Sequence, residues 1–99
     1  VLTGEQVTAQ EMARRGLVNR VVPRGQHLRE ALQLAKTIAE QAPLAVQLAK
    51  ASVLAAFETS LEEGLNIEHQ NFSLLFASQD RREGMQAFIE KRKAEFHGK

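Results

Sequence analysis

The 99-residue sequence contains no cysteine, tryptophan or tyrosine, and its five aromatic residues are all phenylalanine. The absence of cysteine excludes a disulfide scaffold and any thiolate chemistry. No apolar run approaches the roughly 20 residues that a membrane span needs. Lysine and arginine exceed aspartate and glutamate only by 13 to 12, so charge alone does not indicate a nucleic-acid or membrane partner. Because aromatic residues are few, the core must be built from leucine, valine, isoleucine and alanine.

Motifs that carry chemistry are also scarce. The six glycines are scattered, without the spacing of a phosphate-binding loop. His27, His69 and His97 have no second histidine or cysteine at ligand spacing, so we expect solvated or capping side chains and no metal site. Glu58 and Glu62 share a helical face, but an amphipathic helix turns such residues to water and gives them no desolvated pocket. We predict no catalytic residue within the chain.

Apolar periodicity predicts an all-α chain of about five helices without a sheet. The first predicted helix is short and begins after Thr8. The next three run from about Leu28 to Glu40, from Leu44 to Phe57 and from Ser60 to about Phe76. The last carries Met85, Phe88, Ile89 and Arg92 along one stripe. Thr8 and Ser60 each precede a glutamate by three residues, which is the capping-box spacing. The β-branched cluster from Val18 to Val22 is closed by Pro23 and is interpreted as an extended connector.

The segment from Leu44 to Phe57 is apolar on most sides, interrupted mainly by Gln47, Lys50 and Ser52. A helix of this kind needs neighbours on more than one face. The remaining residues can supply some of these neighbours, and a further domain or another subunit would supply the rest.

The basic residues Lys91, Arg92 and Lys93 follow Phe88 by about one helical turn. Such a cluster could bind a nucleotide, with the charges on the phosphates and the ring against adenine. It is also typical of a solvated last helical turn, where the helix dipole favours cations. Both interpretations remain open on these residues alone.

Two sequence blocks together resemble a known family. The segment from Asp80 to Phe96 is similar to the C-terminal signature of the enoyl-CoA hydratase/isomerase (crotonase) family. A second block, in the order that family uses, consists of Leu2–Ala9, Gly16–Asn19 and Val21–Pro23. The pattern Asp80-Arg-Arg-Glu-Gly-Met85 most resembles short-chain enoyl-CoA hydratases. The resemblance implies that residues 1–99 are the helical C-terminal trimerisation region of a crotonase-type fold, without its N-terminal core of β-β-α units.

The resemblance also implies a function for the longer protein. Family hydratases are lyases of fatty-acid or amino-acid breakdown that add water across a 2-enoyl-CoA, using two glutamates and an oxyanion hole of two backbone N–H groups. Those groups have no counterpart here, so we expect the chain to be a piece of the enzyme, inactive alone. In the family, the stretch matching Phe88 and Lys91 helps to bind the adenosine end of CoA, often that of a neighbouring subunit.

The implied partners are an acyl-CoA thioester and further copies of the chain, as a trimer or hexamer, with no nucleic acid and no membrane. No cofactor is expected, since CoA is part of the substrate. The implied compartment is the cytoplasm, or the mitochondrial matrix in a eukaryote. Two alternatives stay open: a piece of an enoyl-CoA isomerase of the same family, and a non-catalytic helical assembly module.

Overall fold

The computed structural model describes residues 2–99, and it confirms the all-α prediction, with no strand in that range. The five helices are α1 (Ala9–Arg14), α2 (His27–Ala39), α3 (Pro43–Ala55), α4 (Leu61–Phe76) and α5 (Gln79–Glu90). Within residues 2–99, no helix is both long and apolar enough to cross a membrane. The chain forms two compact units, one ending at Ala35 and the other running from Lys36 to Lys99.

Helix starts follow the predicted capping chemistry. The Thr8 hydroxyl accepts a hydrogen bond from the Glu11 N–H at 3.2 Å, and the Ser60 hydroxyl accepts one from the Glu63 N–H at 3.2 Å. Ser78 caps α5 in the same way. Each cap satisfies a backbone donor that the first helical turn leaves unpaired.

The end of α1 is also a local feature. Gly16 has a positive φ of 75°, and the Leu17 N–H donates to the Met12 carbonyl at 2.9 Å. This is a glycine-terminated helix end, in which the N–H of the residue after the glycine closes the last turn.

Helices α3 and α4 pack against each other. At this interface the Asn71 amide nitrogen lies 3.0 Å from the Ser52 hydroxyl oxygen and 3.5 Å from the Leu48 carbonyl oxygen. A polar contact of this kind favours one register of the two helices, because a slip would leave the half-buried amide without partners.

Much apolar surface stays uncovered. Val53, Leu54 and Phe57 remain 60%, 57% and 84% exposed, and Ala87 is the one buried apolar residue among residues 2–99. Among residues 2–99, helix α2 also has no buried residue.

Candidate functional site

The two predicted CoA-binding residues, Phe88 and Lys91, lie at the end of α5. Phe88 is on the helix with its side chain 85% exposed, and Lys91 is the residue at which the helix stops. Lys91 has φ 55° and ψ 38°, the left-handed conformation, and it is the single non-glycine residue with positive φ in residues 2–99. The following N–H, that of Arg92, donates to the Ala87 carbonyl at 3.0 Å and closes the turn.

This geometry corrects one prediction. The helix was expected to carry Arg92 on its apolar stripe, but it ends at Glu90 and Arg92 lies beyond the turn. Lysine carries no signal for a left-handed helix end, which glycine or asparagine usually marks. Lys91 and Arg92 therefore follow the last turn of α5, and both interpretations of the basic cluster stay open for the exposed Lys91.

Arg92 is held by two carboxylates. Its guanidinium forms a bidentate pair with Glu83, with N–O distances of 2.5 and 2.9 Å, and its Nε lies 2.6 Å from Glu90. The Glu83 carboxylate also accepts the Glu95 backbone N–H at 2.9 Å. We call Glu83, Glu90 and Arg92 the carboxylate clamp. Its planar, two-pronged geometry is the arrangement that makes arginine–carboxylate pairs specific.

The clamp shifts the acidities of its members. Hydrogen bonds from Arg92 and from the Glu95 N–H lower the pKa of Glu83 to about 2. Hydrogen bonds from Gln86 and Arg92 lower the pKa of Glu90. The bonds to Glu83 and Glu90 raise the pKa of Arg92 in turn. All three groups are therefore charged at neutral pH, and the charge of Arg92 is already paired.

The C-terminal tail, residues 92–99, returns to the start of α5. There the Asp80 carboxylate, which is 3% exposed, accepts the backbone N–H groups of His97 at 2.8 Å and Gly98 at 2.7 Å. The backbone oxygen of Lys99 accepts the N–H of Gln79 at 2.7 Å and that of Asp80 at 3.1 Å. Both ends of α5 are thus tied to the tail, by Asp80 at the start and by the clamp at the end.

An apolar cavity of about 400 Å³ lies among α3, α4, α5 and the tail. Its lining includes the rings of Phe72, Phe76 and Phe96 together with Met85. Phe72 and Phe76 meet edge to face at 5.2 Å, and the Arg81 guanidinium lies 4.3 Å from the Phe76 ring centre. This cavity was not predicted, and neither Phe88 nor Lys91 belongs to its lining. Four segments distant in sequence build it, so no local motif indicates it.

The titratable residues that could support other chemistry are dispersed. Within residues 2–99, no three histidine, cysteine, aspartate or glutamate side chains come close enough to hold a metal ion. Glu58, Glu62 and Glu63 are exposed. Phe88 and Lys91, at the end of α5, are both exposed.

Comparison with known proteins matches the whole sequence. The profile of the enoyl-CoA hydratase/isomerase family covers residues 1–99. A mitochondrial enoyl-CoA hydratase of Pongo abelii is 46% identical over 96 residues, which are 97% of this chain and 33% of that protein. The 2,3-dehydroadipyl-CoA hydratase of Escherichia coli K12 is 46% identical over 99 residues, which are all of this chain and 39% of that protein.

A solved structure agrees with these sequence matches. The crystal structure of an enoyl-CoA hydratase from Bacillus anthracis superposes with a TM-score of 0.93 at 38% identity, and the match covers 99% of this chain and 38% of that one. The chain therefore spans between a third and two fifths of the length of these relatives. A match over the full sequence together with a matching fold establishes its membership: the chain belongs to the enoyl-CoA hydratase/isomerase family.

Proposed function

We propose that this chain is the helical C-terminal part of an enoyl-CoA hydratase, a lyase that adds water across a 2-enoyl-CoA. The observation that carries the proposal is the family match over residues 1–99, with relatives named as hydratases at 46% identity. The two catalytic glutamates and the oxyanion hole would lie in the part of the relatives that this chain does not span. The 99 residues alone should therefore be inactive. The compartment would be the cytoplasm, or the mitochondrial matrix in a eukaryote.

The chain's own contribution to the substrate site would come from Phe88 and Lys91. Of the three consecutive basic residues, Arg92 is bound in the clamp and Lys93 lies 3.5 Å from Glu40. No carboxylate in residues 2–99 lies within ion-pair distance of the Lys91 ammonium group, and that group is solvent-exposed. An exposed, unpaired ammonium group three residues after an exposed ring suits the phosphates and adenine of a CoA nucleotide.

The second contribution would be oligomer packing. Exposed apolar side chains at the end of α3 and just after it (Val53, Leu54 and Phe57) and on α5 (Phe88 and Ile89) form surfaces that a soluble protein normally covers. We propose that copies of the parent protein cover part of them, in a trimer or in a hexamer of two trimers.

The test of the enzyme is an assay on the protein in its intact form, isolated from its natural source and weighed by mass spectrometry. Crotonyl-CoA should lose the absorbance of its conjugated double bond as water adds. Failure to hydrate any 2-enoyl-CoA would remove the hydratase identity, and activity on a 3-enoyl-CoA instead would make the protein an isomerase of the same family.

The test of the CoA contact is Lys91→Ala in that intact protein. Because Lys91 would be remote from the reacting bond, the variant should raise the KM for crotonyl-CoA and leave kcat unchanged. The crotonyl thioester of pantetheine, which lacks the nucleotide, should react equally well with both proteins. An unchanged KM for crotonyl-CoA would show Lys91 to be a solvated residue.

The alternative is a non-catalytic helical assembly module. It is favoured by the end of α3, where the apolar side chains of Val53 and Leu54 are more than half exposed. An intact mass of 11.0 kDa, without hydratase activity and with self-association in sedimentation, would support it. A stable monomer would count against it.

A further inference from the structure

Lys91 occupies an unfavourable backbone conformation for its residue type. Left-handed φ and ψ values bring the Cβ atom of any L-residue too close to its own backbone, and glycine alone escapes this cost. Non-glycine residues persist in that region where the surrounding structure holds them, and they concentrate at functional sites. The chain holds this conformation at a residue that is otherwise exposed and unpaired.

The carboxylate clamp is the structure that holds it. Glu90 and Arg92 are the two neighbours of Lys91, and the Arg92 Nε to Glu90 distance of 2.6 Å bridges directly across it. Glu83 then fixes Arg92 to the body of α5 through two parallel hydrogen bonds and accepts the Glu95 N–H. The turn at Lys91 is therefore closed from both sides.

We propose that Glu83, acting through Arg92, is a positioning residue that holds the Lys91 turn so that the Lys91 ammonium group meets the phosphates of an acyl-CoA thioester. The inference rests on the proposed CoA-binding function of Lys91. Glu83 itself does not touch the substrate. Its role is to keep α5 from continuing through residue 91, since a continued helix would direct the Lys91 side chain to a different side.

The charges of Arg92 and Lys91 support these separate roles, with Arg92 in the clamp and Lys91 at the substrate. Arg92 carries the stronger phosphate-binding group of the pair, because its guanidinium is planar and has five donors. Yet it is neutralised by Glu83 and Glu90, whose lowered pKa values keep them ionised. If the cluster acted only by attracting phosphate through its total charge, the arginine would be unpaired. Instead Arg92 is ion-paired within the clamp, and Lys91 is the residue whose charge is free to bind a phosphate.

The test is a double-mutant cycle on the dissociation constant of CoA, measured by calorimetry with the intact protein. Lys91→Ala should weaken CoA binding about two- to fivefold, as expected for an exposed charge pair. Glu83→Gln should weaken it by a similar factor, and the double variant by no more than Lys91→Ala alone. Glu62→Gln removes an equal charge from an exposed position on α4 and serves as the matched control, with no change expected.

Three results would decide against the inference. If Lys91→Ala weakens binding and Glu83→Gln does not, the positioning role fails while the CoA contact of Lys91 stands. If Glu83→Gln weakens binding further in the Lys91→Ala background, Glu83 acts by a general structural effect. If Lys91→Ala itself changes nothing, the proposed CoA contact fails and the positioning role fails with it.

A second variant covers the case in which Glu83→Gln does not fold. Arg92→Lys keeps the charge but cannot form the bidentate pair with Glu83. It should weaken CoA binding in the wild-type background and have no further effect beside Lys91→Ala. Unchanged binding in Arg92→Lys would overturn the proposal.

Discussion

The buried carboxylate of Asp80 accepts the backbone N–H of His97 at 2.8 Å, 17 residues further along the chain. The same carboxylate accepts the Gly98 N–H at 2.7 Å. A single acidic side chain thus anchors the C-terminal tail at the start of α5, where the positive end of the helix dipole also favours a negative charge. The tail in turn supplies Phe96 to the wall of the apolar cavity.

Asp80→Asn should release the tail. The neutral amide keeps one acceptor oxygen and presents an NH₂ group where a backbone donor now points, so at least one hydrogen bond is lost. The free energy of opening for the His97 and Gly98 amides should fall by about 1–3 kcal/mol. Hydrogen exchange of these two amides measures it, with Glu68→Gln on exposed α4 surface as control. Unchanged protection would show that other contacts hold the tail.

Gly84 should accept alanine and reject larger residues. A Cβ atom at this position would lie 3.4 Å from the Phe96 ring, which is ordinary contact, and no positive φ demands glycine there. Gly84→Ala should stabilise α5 by about 0.5–1 kcal/mol through helix propensity.

The matched larger change is Gly84→Leu, which should displace Phe96 from the cavity wall. Thermal unfolding of both variants measures the effect, and Gly64→Ala, whose Cβ would meet Thr59 at 3.5 Å, is the control at a helical glycine away from the cavity. Destabilisation by Gly84→Ala would show that Phe96 has no room to yield.

Lys91→Gly should separate backbone strain from charge. Glycine adopts the left-handed conformation without the Cβ clash, so the variant should stabilise the end of α5 by about 1 kcal/mol relative to Lys91→Ala. Both variants lack the ammonium group and should bind CoA equally weakly. Hydrogen exchange at the Arg92 amide, which closes the turn, reports the stability difference. Equal protection in the two variants would mean that the turn carries no strain.

The clamp should survive mild acid. The pKa of Glu83 in the folded chain is about 2, below its ordinary value of 4.5. Its ionised form therefore adds stability that is fully present above pH 4.5 and is lost as the pH falls through about 2. The carboxyl carbon-13 shift of Glu83 should titrate with a midpoint near 2, and Arg92→Gln should raise that midpoint.

The amide of Glu63, capped by Ser60 on α4, serves in the same titration as a control for global unfolding. A wild-type midpoint near 4.5 would contradict the observed pairing of Glu83 with Arg92.

Local chemistry explains what could be predicted about the helices. The hydroxyl of Thr8 or Ser60 accepts a hydrogen bond from an amide three residues away, and the N–H of the glycine after α1 donates to a carbonyl in the last turn of that helix. Interactions this short depend only on neighbouring residues, so the helix count, the starts of α1 and α4 and the all-α class were predicted correctly. The family resemblance was carried by residue patterns and was confirmed over the whole chain.

The site depended on contacts that no local pattern contains. Lys91 follows Phe88 by three positions in the sequence, but its left-handed turn is held by Glu83, which reaches Arg92 across nine positions. The predicted CoA contact of Phe88 and Lys91 stays a prediction, as does the assignment of residues 1–99 to a single C-terminal region.

The sequence by itself therefore determined the helices, their caps and the family, because each is encoded by residues that act on near neighbours or recur in a fixed pattern. Only the tertiary structure decided that Arg92 is paired while Lys91 is free, that Asp80 binds the tail 17 and 18 positions away, and that three phenylalanines line one cavity. The physical reason is that hydrogen bonds and ring contacts between distant segments depend on where the folded backbone places them, and spacing along the chain does not specify that placement.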